Sequence, residues 1–150
     1  MLGNTLKGLA CCYNGNQRKN GAIWKWAIYS CSVILVQLWS VAENKYKDIS
    51  LTLDTGASVT TLTPEIFYAL GYEPSSMPKK KLTTASDVTI VSHFSLDAIK
   101  IGNIELKNID AYALKFPEES FSMGVIGLNV LRQFDVELLF SQHIVRLIKL

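Results

Sequence analysis

A chain of 150 residues with 49% apolar and 19% charged side chains has room for one domain with its own core, and its composition is neither disordered nor fibrous. The formal net charge is +2, and the basic residues are scattered apart from the run Lys79, Lys80, Lys81, so no nucleic-acid partner is expected. Three cysteines, Cys11, Cys12 and Cys31, show no metal or redox spacing; they read as reduced thiols, which points to a cytoplasmic protein. With only His93 and His143, a histidine metal centre or a Ser-His-Asp triad has few side chains to draw on, and neither a metal nor a cofactor is expected.

In chain order, residues 1–32 read as an N-terminal tail, poorly ordered or a hydrophobic anchor, and residues 33–150 as the folded domain. Trp26 to Ala42 is a run of 17 residues without a charge, preceded by Arg18, Lys19 and Lys25, at the lower edge of what spans a bilayer. Residues 22–42 therefore have two readings. They are a membrane anchor, or Val33–Ala42 is a strand that turns at Glu43-Asn44 into Lys45–Leu53. From Ile49 the period is two: Ile49, Leu51 and Leu53 point one way, Ser50, Thr52 and Asp54 the other. A second apolar strand, Val59–Leu62, follows. Thr63 then reads as a helix N-cap, with Pro64 at the first helical position, Glu65 in the first turn and Gly71 as the stop.

Residues 73–81 read as a loop rich in Pro, Ser and Lys. Two long apolar-rich runs, Val88–Ile101 and Ile104–Leu114, flank the hairpin signal Gly102-Asn103. After a loop over 115–123, Val125–Val130 is apolar around Gly127, and a short helix is expected near Asn129–Gln133. Val136–Phe140 and Ile144–Leu150 close the chain as strands joined near Ser141-Gln142. The sum is mostly β with one or two short helices, without an internal repeat.

The stretch that carries chemistry is Leu51-Thr52-Leu53-Asp54-Thr55-Gly56-Ala57-Ser58. A carboxylate stands at the end of an apolar strand, a glycine lets the backbone turn closely behind it, and the hydroxyls of Thr55 and Ser58 flank it as hydrogen-bond donors. A plain alternative makes Asp54 a turn residue bonded to its own loop. The strand-end placement and the second strand that follows favour chemistry. Asp97, Asp110 and Asp135 lack this setting and read as surface or turn residues, and His93 as a strand-face residue.

Leu51 to Ser58 resembles the active-site motif of the retropepsin-like aspartic proteases. Val125-Ile126-Gly127-Leu128-Asn129-Val130-Leu131, about seventy residues on, resembles their second motif. The likeness runs from Val33 to Leu150, and two motifs in order at the right distance are more specific than either alone. It implies a closed β-barrel of the retropepsin-like type, the acid-protease half. It favours Val33–Ala42 as a strand, because such a barrel needs one there. It also implies an aspartic endopeptidase in which Asp54 and its symmetry mate in a homodimer activate a water against a peptide or protein substrate.

The same resemblance makes Thr55 a residue that bonds across the two-fold axis, puts Gly56, Ala57 and Ser58 in the active-site loop, and gives Ile126, Gly127 and Asn129 a structural role. Ile144–Leu150 is then either interface or core. Family members cover the site with a β-hairpin flap; Leu82–Ile90 is the candidate, with its tip near Thr83–Asp87. That tip lacks the glycines of the retroviral enzymes, and an ordinary surface turn fits it as well. The rival reading from another class is a non-catalytic dimerisation or peptide-binding module that has kept the fold.

Overall fold

The computed structural model describes residues 12–13, 21–25, 33–83, 88–116 and 122–150. Eleven strands and two short helices are arranged as β1 (Cys12–Tyr13), β2 (Gly21–Lys25), β3 (Val33–Ser40), β4 (Lys45–Leu53), β5 (Thr60–Leu62), α1 (Pro64–Leu70), β6 (Lys79–Thr83), β7 (Val88–Ile101), β8 (Ile104–Ala113), β9 (Gly124–Ile126), α2 (Leu128–Leu131), β10 (Phe134–Leu139) and β11 (Ile144–Lys149). Strands β3, β4, β9, β5, β8 and β7 follow one another around a ring. The ring closes where β3 meets β7, Gln37 opposite Lys100 and Leu38 opposite Ile99. The result is the closed, mostly β barrel that the resemblance implied, with β6 standing outside the ring on the far half of β7.

Alternation builds this barrel. In β3, Ile34, Val36, Leu38 and Ser40 turn inward and are buried, while the residues between them are half exposed; in β4, Ile49, Leu51 and Leu53 do the same. Ser40 is the one polar residue on the inward side of β3, and it is satisfied there: its hydroxyl donates to Leu70 O at 3.3 Å and accepts the Glu43 N–H at 3.3 Å. The β3–β4 hairpin turns through residues 41–44, with Asn44 at φ 52°. At the β7–β8 turn Gly102 takes φ 62°, which a side chain would resist, and Ile101 pairs with Ile104 on either side of it.

Helix α1 packs its inward face into the barrel core, and Leu70 O accepts the N–H groups of Val41 and Ala42 just past β3. Pro64 occupies the first turn and Gly71, at φ 91°, ends the helix with its N–H on Tyr68 O. Thr63 precedes it in extended conformation but makes no side-chain cap, so its N-terminus is set by Pro64 rather than by the expected hydroxyl. Ile66, Phe67 and Leu70 face inward; the Phe67 ring stacks on Phe94 with centroids 3.7 Å apart, and Tyr72 meets both rings edge-on.

The second sheet runs β1-β2-β11-β10. Its β10–β11 hairpin packs Phe134, Val145 and Leu147 onto the barrel core. Its opposite face carries half-buried Leu139, Ile144 and Ile148 beside the Arg146–Glu137 ion pair. Ile144–Lys149 thus contributes core through one face. The segment expected as a tail contributes Gly21–Lys25, which pairs antiparallel with β11 from Gly21–Ile148 to Lys25–Ile144. The rest of that segment, most of it with the cysteine side chains, lies outside the described residues. The C-terminal part of the apolar run, Val33–Ser40, is a barrel strand, and no helix among the described residues is long and apolar enough to cross a membrane.

Lys79–Lys81 differs from the expected loop. These residues are strand, because β7 extends beyond the barrel and offers Thr83, Leu82, Lys81, Lys80 and Lys79 a partner from Val88 to Ser92. Leu82 and Thr83 of the flap candidate pair with Thr89 and Val88 across the β6–β7 ladder, and Thr84–Asp87 lies outside the described residues. Helix α2 spans Leu128–Leu131, one residue ahead of the expected start at Asn129.

Candidate active site

The backbone around Asp54 is held by the short strand β9, which lies between β4 and β5. It runs parallel to β4, Thr52 opposite Val125 and Leu53 opposite Ile126, and antiparallel to β5, Thr61 opposite Val125. The ladder continues one step past β4, where the Asp54 N–H donates to Ile126 O at 3.0 Å. Asp54 therefore starts its loop from a fixed backbone position, at the end of a strand whose inward side chains are buried.

The loop folds back on its own carboxylate. The Gly56 N–H donates to Asp54 Oδ1 at 2.8 Å and the Ala57 N–H to Asp54 O at 3.3 Å. The second carboxylate oxygen takes no hydrogen bond from the described residues. The expected donors differ: neither Thr55 nor Ser58 bonds Asp54 through its hydroxyl, and both side chains are exposed. A turn this tight points side chains outward and backbone N–H groups inward, so a main-chain donor takes the place the sequence assigned to hydroxyls.

The second motif anchors the loop from below. Leu128 and Asn129, at the start of α2, donate their N–H groups to Ala57 O at 2.8 Å and Ser58 O at 3.2 Å. Gly127 packs so closely under Val59 and Thr60 that a Cβ would sit 2.5 Å from the Val59 carbonyl carbon. Its N–H donates to Thr60 Oγ1 at 3.2 Å, and that hydroxyl donates to Asn129 Oδ1 at 3.0 Å. Asn129 Oδ1 also accepts the Thr60 N–H at 2.8 Å, while its Nδ2 donates to Asp110 O at 2.7 Å. One side chain thus ties β5, β8 and α2 together across 69 positions of sequence.

All eight residues singled out from the sequence, Asp54 to Ser58 with Ile126, Gly127 and Asn129, meet in this one assembly. Thr60, the relay between Gly127 and Asn129, was missed; a threonine pair inside an apolar strand, Thr60-Thr61, was its only trace in the sequence. Replacing Asn129 by Ala removes the acceptor of the Thr60 N–H and the amide that donates to the Asp110 carbonyl. It is expected to lower stability by about 1–3 kcal/mol, read from the midpoint of urea unfolding.

Above the loop lies a cleft of about 300 Å³. Asp54, Ser58 and Thr61 are polar groups on its floor, Val59, Val125, Leu114, Phe116 and the β6 residue Leu82 supply apolar walls, and Thr83 of β6 adds a polar group. A somewhat larger cleft of about 380 Å³ lies elsewhere, lined by Trp39, Tyr46, Asp97, Glu105 and Lys107. Both of its carboxylates accept a tyrosine hydroxyl. The Tyr46 hydroxyl bonds Glu105, and desolvation, then that bond to Glu105, pushes its phenol up to about 12. Asp97 accepts from the Tyr72 hydroxyl at 3.2 Å. The Asp54 cleft holds a carboxylate at a strand end, with its loop fixed by main-chain bonds from the second motif, and is the better candidate for chemistry.

A sequence profile described as aspartyl protease matches residues 40–130. The chain belongs to the aspartyl-protease family. The stretch matched begins before Asp54 and ends with the second motif, so it takes in the whole loop assembly. The fold agrees with it. A crystal structure of a retropepsin-like aspartic protease from Rickettsia conorii superposes with a TM-score of 0.66 at 21% sequence identity, over 85% of this chain and 89% of that one. No curated protein sequence matches the chain. His93, outside the aspartyl-protease loop, sits half buried on β7 with Nε2 2.8 Å from Asp110 Oδ1, the strand-face position expected of it. Asp97, Asp110 and Asp135 are exposed. Among the described residues no three His, Cys, Asp or Glu side chains gather as metal ligands would.

Proposed function

We propose that this family member is an aspartic endopeptidase that works as a homodimer, with residues 33–150 as the protease domain and Asp54 as the catalytic carboxylate. The observation that carries the reading is the Asp54 carboxylate itself. Its Oδ1 is held by the Gly56 N–H and its residue's main-chain N–H by Ile126 O, and it lies half exposed at the floor of a cleft with apolar walls, once per chain. Peptide hydrolysis by carboxylates needs two, sharing one proton, because like charges a few ångströms apart do not both ionise. A two-fold axis beside Asp54 supplies the second from a partner chain.

In that arrangement the ionised carboxylate takes a proton from a water whose oxygen attacks the scissile carbonyl carbon. The protonated carboxyl gives its proton to the carbonyl oxygen, making a neutral gem-diol. Collapse of this intermediate breaks the C–N bond as the proton held by the base goes to the departing amine and the second carboxylate, ionised by its own proton transfer, takes back a proton from one diol hydroxyl. Titration then belongs to the pair rather than to one aspartate. In this reading Thr55, exposed beside Asp54, bonds its counterpart across the axis. Gly56 keeps the space at Asp54 Oδ1 open, where a Cβ would come to 3.1 Å.

The test is cleavage of casein from pH 4 to 7 over a dilution series. The expected result is a bell-shaped profile, with activity per chain falling on dilution as dimers dissociate. Activity per chain independent of concentration down to the monomeric range would overturn the shared site. A folded dimer that cuts nothing would leave the peptide-binding module in its place.

A further inference from the structure

Among the described residues that line the Asp54 cleft, Thr61 alone is buried, at 5% exposure, and it is polar. Strand alternation sets the way it faces. Thr60 and Leu62, its neighbours on β5, turn away from the cleft: the Thr60 hydroxyl donates to Asn129, and Leu62 lies in the barrel core. Thr61 turns the other way. Val59, two residues before it, and Val125, opposite it on β9, share its side, and all three line the cleft.

The plain account of Thr61 is a strand residue that satisfies itself. Its hydroxyl donates to Val59 O at 3.2 Å, and its branched Cβ suits a strand. Valine has the same shape and would serve that purpose without a polar atom. What the hydroxyl adds is an acceptor. Its one proton is committed to Val59 O, and no described residue donates to its oxygen, so the lone pairs are left for a ligand. Around it stand the apolar walls Val59, Leu82, Leu114, Phe116 and Val125. A pocket of apolar walls with a few placed polar groups is what fixes the orientation of a bound group.

We propose that Thr61 is a specificity-determining residue, selecting peptides that bring a tyrosine side chain into the cleft over those that bring phenylalanine. The proposal rests on the reading of the Asp54 cleft as a peptide site. Either ring meets the same apolar walls. Only tyrosine carries a polar hydrogen at the far end of the ring, to donate to the Thr61 hydroxyl oxygen on the floor. A phenylalanine ring in the same place takes that acceptor out of water and leaves it without a donor. One neutral hydrogen bond of this kind separates the two residues by about three- to tenfold.

The probe is a set of heptapeptides of fixed apolar sequence with Tyr, Phe or para-fluorophenylalanine at one position, each position in turn. They are partitioned on the immobilised full chain carrying Asp54→Asn, so that binding is read without turnover. At one position Tyr is expected to be retained about three- to tenfold over Phe and over para-fluorophenylalanine, whose ring is substituted at the same place but carries no polar hydrogen. Thr61→Val added to that chain is expected to abolish the preference, and Thr61→Ser to keep it. Each readout is a ratio on one chain, so a smaller folded fraction does not imitate it, and the first comparison needs no substitution at Thr61. No preference for Tyr at any position, a preference that survives Thr61→Val, or no retention of any peptide would overturn the proposal. Cleavage of the same peptides by the unsubstituted chain separates the two readings. Tyrosine peptides retained but never cut remove the endopeptidase and leave Thr61 its role; peptides cut equally well with Tyr and Phe do the reverse.

Discussion

Asp54→Asn is expected to lower casein cleavage by about a thousandfold or more, with the thermal midpoint unchanged to about 1 °C. The substitution keeps shape and removes proton affinity. Asparagine Oδ1 still accepts the Gly56 N–H, and the main-chain bond from residue 54 to Ile126 O does not depend on the side chain, so the loop keeps its form. What is lost is the group that takes a proton from water, and in a homodimer both copies are lost together. That symmetry gives a sharper outcome than a single dead variant. If one carboxylate from each chain is needed, equal amounts of wild type and Asp54→Asn, unfolded and refolded together, form wild-type pairs in about a quarter of the dimers. The mixture is then expected to show about a quarter of the activity of the same total chain concentration of wild type, instead of the half that independent monomers would give. Measured activity at one half, or a variant that cuts like wild type, would remove Asp54 from the shared centre.

The parts of the fold legible in the sequence are those whose signal is local. β4 alternates so regularly that its end at Leu53 was readable, and with it the placement of Asp54 at a strand terminus. Gly102 and Gly71 mark their turns because each takes positive φ. The Val88–Ile101 strand was readable in full, since its apolar residues recur along its whole length. Lys79–Lys81 was not: three adjacent lysines carry no strand period of their own, and only pairing with the overhanging half of β7 makes them strand. Gly21–Lys25 was hidden for the same reason, its partner β11 lying at the other end of the chain.

At the site, the residue types were legible and their bonds were not. Thr55 and Ser58 invited the role of donors to Asp54, but a tight loop gives that role to the Gly56 amide. The load that Asn129 carries, joining Thr60 to the Asp110 carbonyl, depends on three elements meeting in space, which no local pattern records.

Gly127→Ala tests whether that lower storey is what holds the site in shape. Gly127 lies at φ −92° and ψ 179°, extended backbone open to any residue, so conformational strain does not enter. The obstacle is contact. A Cβ would stand 2.5 Å from Val59 C and 2.8 Å from both Val59 O and Thr60 N, all main-chain atoms that cannot rotate aside. β5 would have to move away from β9, and with it go the Gly127 N–H to Thr60 Oγ1 bond and the two bonds from Thr60 to Asn129. Stability is expected to fall by about 3 kcal/mol or more, with cleavage lost in the fraction that stays folded. Gly56→Ala is the contrasting case. There the added Cβ meets only Asp54 Oδ1, at 3.1 Å, on an exposed loop. Unfolding in urea is expected to shift by less than about 0.5 kcal/mol while kcat/KM drops, because the crowded atom is the carboxylate oxygen itself. A Gly127→Ala chain that unfolds at the wild-type midpoint would mean that the loop is carried by other bonds, and that the second motif supports the site less than its packing suggests.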